Sequence, residues 1–114
     1  MPRVKRGTIK NKSRKNTLAQ VKGYRFGRST KKSMAREAIA HAGVHAFNHR
    51  KDKKSNFKRL WNVKINAEVR KYDMSYSTFI DALKKKGFGL NRKMLADLAE
   101  HEPESFKRVV DQVK

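Results

Sequence analysis

His41, His45 and His49 recur at every fourth residue, so on a helix they form one stripe, and histidines at i, i+4 are a spacing that metal sites use. No carboxylate falls among them, Asp52 comes only after them, and Lys and Arg crowd the next turn, which disfavours a divalent cation. Rings stacked on bases or bonded to phosphate, or simply a solvated helix face, suit the stripe better, and no metal or other cofactor is expected. Asp97, Glu100, Glu102 and Glu104 offer carboxylates for acid–base work, but three of them cluster beside Pro103, at a helix start where negative charge complements the helix dipole. The chain has no GxxxxGK[ST] loop to cradle phosphates and no nucleophile elbow, so neither enzymatic activity nor a small-molecule substrate is expected.

Recognition chemistry is more plentiful. In Gly23-Tyr24-Arg25-Phe26-Gly27-Arg28, planar rings that stack on unpaired bases stand beside guanidiniums that fork onto phosphates, with glycines allowing close backbone approach. The plain alternative, a flexible tether, leaves two aromatic rings idle in water. The stretch Arg50 to Arg59 contributes Arg50, Lys51, Lys53, Lys54, Lys58 and Arg59 around one Asp and one Phe. On a helix that charge surrounds the circumference, a geometry suited to burial among several RNA helices rather than docking in one groove. Arg3, Lys5, Arg6, Lys10, Lys12, Arg14, Lys15 and Lys22 precede the aromatic segment, and Lys31, Lys32 and Arg36 follow it. Asn11, Ser13 and Asn16 lie between these charges, as suits hydrogen bonding to sugar and phosphate.

The elements that must position these residues share 114 positions, with thirty Lys+Arg against ten Asp+Glu and a formal net charge of +20. Self-repulsion on that scale calls for a polyanion to neutralise it, and nucleic acid is the first candidate. No apolar run suits a membrane span, and a basic N-terminus without an apolar stretch after it is no secretory signal. With no cysteine, disulfide scaffolds, thiol nucleophiles and thiolate zinc sites are excluded. The charge is uneven: Met1 to Tyr72 holds twenty-two basic residues against Glu37, Asp52 and Glu68, whereas Asp73 to Lys114 holds eight against seven.

Three regions follow. Residues 1–28, with ten basic residues, no acidic one and Gly7, Gly23 and Gly27, form an extension expected to be disordered alone and to fold onto an anionic surface. Residues 29–72 read as one long basic helix from about Met34, capped by Ser29, Thr30 or Ser33, or as a helix broken near Lys54–Asn56. Its stripe of Ala35, Ala38, Ile39, Ala42 and Ala46 permits close approach by RNA or another helix. Residues 73–114 carry three amphipathic helices: Tyr76, Phe79, Ile80 and Leu83 after a Ser75 cap; Met94, Leu95 and Leu98 after an Asn91 cap; and Phe106, Val109, Val110 and Val113 after Pro103. So small a cluster is expected to borrow Leu60, Trp61, Ile65 and Val69 from the long helix, with Trp61 a core residue rather than a ligand contact. The predicted fold class is all-α.

Pro2-Arg3-Val4-Lys5-Arg6-Gly7, Lys22-Gly23-Tyr24, Arg28-Ser29, Arg59-Leu60-Trp61, Ile65-Asn66-Ala67, Ser75-Tyr76-Ser77, Leu83-Lys84-Lys85 and Asn91-Arg92-Lys93-Met94-Leu95-Ala96-Asp97-Leu98-Ala99 occur in an order and spacing that resemble the bacterial-type large-subunit ribosomal protein twenty family over nearly the whole chain. The resemblance implies a basic extension and long helix threaded into large-subunit ribosomal RNA, a small C-terminal domain on an RNA junction, and a role early in subunit assembly. Its implied partners are that RNA, neighbouring large-subunit proteins and, for some members, their own messenger RNA. The implied location is a cytoplasmic ribosome, an organellar one being the alternative. The chain departs from the family where an arginine-dense stretch is usual: it has Lys53, Lys54, Ser55, Asn56 and Lys58, and lysine lacks the planar fork of arginine. Histidines also stand where tyrosine or arginine is common. An architectural DNA-binding protein is the rival reading; neither heptads nor a helix-turn-helix signature supports it.

Overall fold

The computed structural model describes all residues from Met1 to Lys114. It is all-helical: α1 (Arg6–Ala19), α2 (Lys32–Val69), a 3₁₀ turn (Arg70–Tyr72), α3 (Tyr76–Lys85), α4 (Arg92–His101) and α5 (Pro103–Val113). Packing divides the chain into two units, Met1–Arg50 and Lys51–Lys114, so the division falls inside α2, whereas the charge changes near Tyr72.

In the first unit, the extension expected to be disordered alone contains α1 and its 14 residues. Of the three glycines only Gly7 falls inside that helix, in its first turn, where the N–H groups have no intrahelical acceptor to lose. Gly23 and Gly27, with φ of 87° and 76°, serve the turns that follow. α1 buries none of its own residues; the inward-facing residues of this unit are Val21 and Ala35, both fully buried. Two cations tie the turns and the start of α2 to α1: Arg14 Nη2 donates to the Thr30 carbonyl at 2.6 Å and Lys32 Nζ to Ser13 Oγ at 2.8 Å.

α2 runs for 38 residues, with no break at Lys54–Asn56. This stretch has neither Pro nor Gly, and its Ser55 and Asn56 are flanked by the good helix formers Lys53, Lys54, Lys58 and Arg59. Of the small-residue stripe, Ala35 is buried, Ala38 and Ile39 are half-buried, and Ala42 and Ala46 are exposed.

The second unit holds the hydrophobic core. Phe79 and Leu83 of α3, Leu95, Ala96 and Ala99 of α4, and Phe106, Val110 and Val113 of α5 close over Ile65 and Val69 of α2. The helix starts are encoded locally. Ser75 Oγ accepts from the Thr78 N–H while Thr78 Oγ1 accepts from the Ser75 N–H, a reciprocal capping box. Asn91 Oδ1 accepts from the Met94 N–H at 2.9 Å. Pro103 opens α5 at a position that needs no N–H donor.

Three core expectations need correction. Leu60 and Met94 are 46% and 48% exposed. At 3.6 residues per turn, Leu60 lies roughly 140° around the helix from Ile65, and Met94 lies equally far from Ala99, so each points off the buried face. Trp61, one turn before Ile65, packs against the core but remains half-buried. Trp61→Ala should therefore cost about 2 kcal/mol in urea unfolding, less than the ~3–5 of a fully enclosed ring.

The acidic residues also have particular partners. Glu100, grouped by sequence with a helix start, is instead ion-paired with Lys64 and so links α4 to α2; Asp97 faces His101 at 3.0 Å. Of the cluster, only Glu104 lies in the first turn of α5. The Lys64 hydrogen bond, and then its charge, hold the Glu100 carboxyl below its ordinary value of 4.5. A carboxylate lowered on folding adds stability above its unfolded pKa and loses it as pH falls through the folded one. Glu100→Gln should therefore lower the unit's melting temperature at neutral and alkaline pH and converge with the wild type in acid, so that its stability falls less steeply as melting is followed from pH 7 downward. Glu68 is buried and accepts from Lys71 Nζ at 2.6 Å and the Tyr72 hydroxyl at 3.4 Å, which fixes the end of α2.

Candidate nucleic-acid interface

In the first unit, Arg3 and Lys5 precede α1, which carries Arg6, Lys10, Lys12, Arg14 and Lys15, all exposed. A shallow groove on α1 gathers Arg14, Lys15 and Lys22 with Asn11; another gathers Lys12 with Ser13 and Asn16. The charge is thus spread around the helix. Arg36 and Arg50 are exposed on α2, and Lys32 is half-buried by its bond to Ser13. Arg14 and Lys32 therefore hold the unit together as well as contributing charge.

Lys22, Tyr24, Arg25, Phe26, Arg28 and Lys31 lie between α1 and α2, all exposed. The Arg28 N–H donates to the Arg25 carbonyl at 3.3 Å, closing a four-residue turn. Its central residues, Phe26 and Gly27, have φ of 58° and 76°, the signature of a primed turn. Glycine takes that conformation freely, whereas a residue with a Cβ is disfavoured by about 1–2 kcal/mol. The Phe26 ring is 84% exposed. Tyr24 and Arg28 border a third shallow groove with Glu37, His41 and His45 of α2. The histidine stripe thus has a carboxylate beside it after all: Glu37, one turn before, lies 3.7 Å from His41. His45 and His49 stack loosely, ring centroids 5.9 Å apart.

In the second unit Lys51, Lys53, Lys54, Lys58 and Arg59 are exposed along α2. Lys53 Nζ lies 6.0 Å from the centre of the Phe57 ring, which is 6.1 Å from that of Trp61. Trp61 leads into an open groove of about 390 Å³ with an apolar floor of Trp61, Ile80, Leu83, Phe88, Leu90 and Leu95. Its rim carries Lys58, Lys84, Arg92 and Lys93. Of these, sequence reasoning found only Lys58. Asp73 to Lys114 has a net charge of only +1, and a sum over a segment hides convergence in space. One local signal was present: Arg92 and Lys93 follow the Asn91 cap, placing two cations at the positive end of the α4 dipole, which opposes them. Arg92 is fixed there, its Nε donating to the Tyr76 hydroxyl at 2.8 Å, which donates to Asn62 Oδ1 at 2.7 Å.

Both units thus present exposed cations beside accessible aromatic surface. Comparison with known proteins decides what kind of chain this is: the family model for "Ribosomal protein L20" matches residues 3–109. The chain belongs to the ribosomal protein L20 family. Among its L20 relatives, "Large ribosomal subunit protein bL20" of Roseiflexus sp. (strain RS-1) is 46% identical over 114 residues, covering all of this chain and 97% of the relative. The protein of that name from Leptospira biflexa is 48% identical over the same length and coverage, and that of Chloroflexus aggregans 45%, with 96% of the relative covered. The L20 family is one of ribosomal proteins rather than enzymes. No helix of this L20 chain is long and apolar enough to cross a membrane.

Proposed function

We propose that the chain is a structural constituent of the large ribosomal subunit, in cytoplasmic ribosomes, that binds large-subunit ribosomal RNA and assists early assembly. The observation that carries this is membership of the L20 family over residues 3–109, joined to a first unit whose cations face outward while α1 buries nothing. Charge neutralisation lets RNA segments approach one another, and the helices with their anchored turns fix the geometry in which they do so. Affinity is mostly electrostatic; placement comes from RNA shape, stacked bases and forked arginine contacts. Partners on this reading are ribosomal RNA, adjoining large-subunit proteins and, through the groove of the second unit, the chain's own messenger RNA.

Reconstitution of large subunits from ribosomal RNA and proteins tests the assembly role. Omitting this chain should leave slowly sedimenting precursors that mature when it is added at the start. Identical particles with and without it would contradict the reading.

A further inference from the structure

The residue least explained by folding is Phe26. Its backbone has the left-handed conformation natural to glycine, with φ of 58°, and its ring is 84% exposed, so it packs into neither the unit's interior nor a neighbouring helix. A bulky residue at positive φ is an outlier, and such strain persists where the surroundings enforce it and a function uses it. Here the surroundings do enforce it. The turn is closed by the Arg28 N–H on the Arg25 carbonyl, and the Lys31 N–H bonds to the Gly27 carbonyl at 3.0 Å. Arg14 holds Thr30 from the other side.

Turn closure brings the ends of the four-residue segment within about 7 Å, so Arg25 and Arg28, both exposed, stand together at the base of the turn that carries the ring. An apolar ring held out into water on a turn that begins and ends with exposed arginines suits an unpaired nucleotide, its base on the ring and its flanking phosphates within reach of the guanidiniums. We propose that Phe26 is a rigid stacking post for a single unpaired nucleobase of the bound RNA, and that the strained turn keeps the ring projected before the RNA arrives. This rests on the RNA-binding reading above and adds to it the residue that selects an unpaired position. A ring presented in place loses little freedom on binding.

The test follows from the strain. Phe26→Gly removes the ring and relaxes the turn, so the full chain should fold at least as well by circular dichroism and melting. If the ring stacks, this variant binds transcribed large-subunit ribosomal RNA about 10-fold more weakly, the size of one lost base–aromatic stack. The salt dependence stays unchanged because no charge is lost, and Phe26→Trp restores the affinity. Ultraviolet irradiation of the wild-type complex should also leave a nucleotide adduct on the peptide containing Phe26. Equal or tighter binding by Phe26→Gly, or adducts elsewhere only, overturns the stacking post and leaves the RNA reading in place. A wild-type chain with no preference for this RNA over duplex DNA of equal phosphate content overturns both.

Discussion

Phe106→Ala is expected to unfold the second unit at 25 °C. Phe106 is fully buried, and its ring lies 5.5 Å from that of Phe79, also fully buried, at a 42° tilt. Truncating such a ring removes its transfer free energy and leaves a cavity, together costing about 3–5 kcal/mol; the tilted aromatic pair adds to the loss. A unit spanning Lys51–Lys114 has a single small core of the kind that rarely supplies more than about 3–5 kcal/mol in total. The substitution therefore consumes most or all of the unit's stability. Melting followed by circular dichroism should show its cooperative transition lost or shifted below room temperature. The half-buried Trp61, by contrast, should leave the Trp61→Ala chain folded. A Phe106→Ala protein that melted like the wild type would mean that α5 does not close the core as described.

The second large effect concerns affinity rather than stability. With cations distributed over α1, the turns and α2, binding to RNA should be dominated by counterion release. If roughly six to ten phosphates are neutralised, the association constant should fall by about 10³–10⁵ between about 50 and 200 mM salt. Within that total, Arg25→Ala should weaken binding to all RNAs similarly and reduce the slope of log K against log salt by about 1. Arg14 is expected to behave differently. Its Nη2 already holds the Thr30 carbonyl, so Arg14→Ala should also loosen the turns, and its loss should exceed what the slope change alone accounts for. Filter binding over a salt series separates the two behaviours.

What could be read from sequence was what neighbours in the chain decide. The caps at Ser75 and Asn91, the proline opening α5 and the apolar spacing of Phe106, Val110 and Val113 each act within one or two turns, so the helices of the second unit were legible. The continuity of α2 through Lys54–Asn56 was less legible, because Ser55 and Asn56 are weaker helix formers than the lysines and arginines that flank them. Leu60 and Ile65 are both apolar, and only the direction from which α3, α4 and α5 approach makes one core and the other surface. The partner of Glu100 is Lys64, thirty-six residues away, beyond any pattern along the chain. The same holds for the rim of Lys58, Lys84, Arg92 and Lys93, assembled from separate elements whose summed charge is unremarked. Phe26 was legible as a ring beside arginines, but its left-handed backbone was not, because that conformation normally announces itself as glycine.

The central claim is recognition of ribosomal RNA by shape, beyond attraction between a polycation and phosphate. Competition binding tests it most directly: large-subunit ribosomal RNA fragments against duplex DNA of equal phosphate content, at moderate and at high salt. The account predicts that one RNA fragment stays preferred as salt rises, because stacked and forked contacts persist when counterion release weakens. Equal competition at every salt concentration, with both ligands lost together, would contradict it.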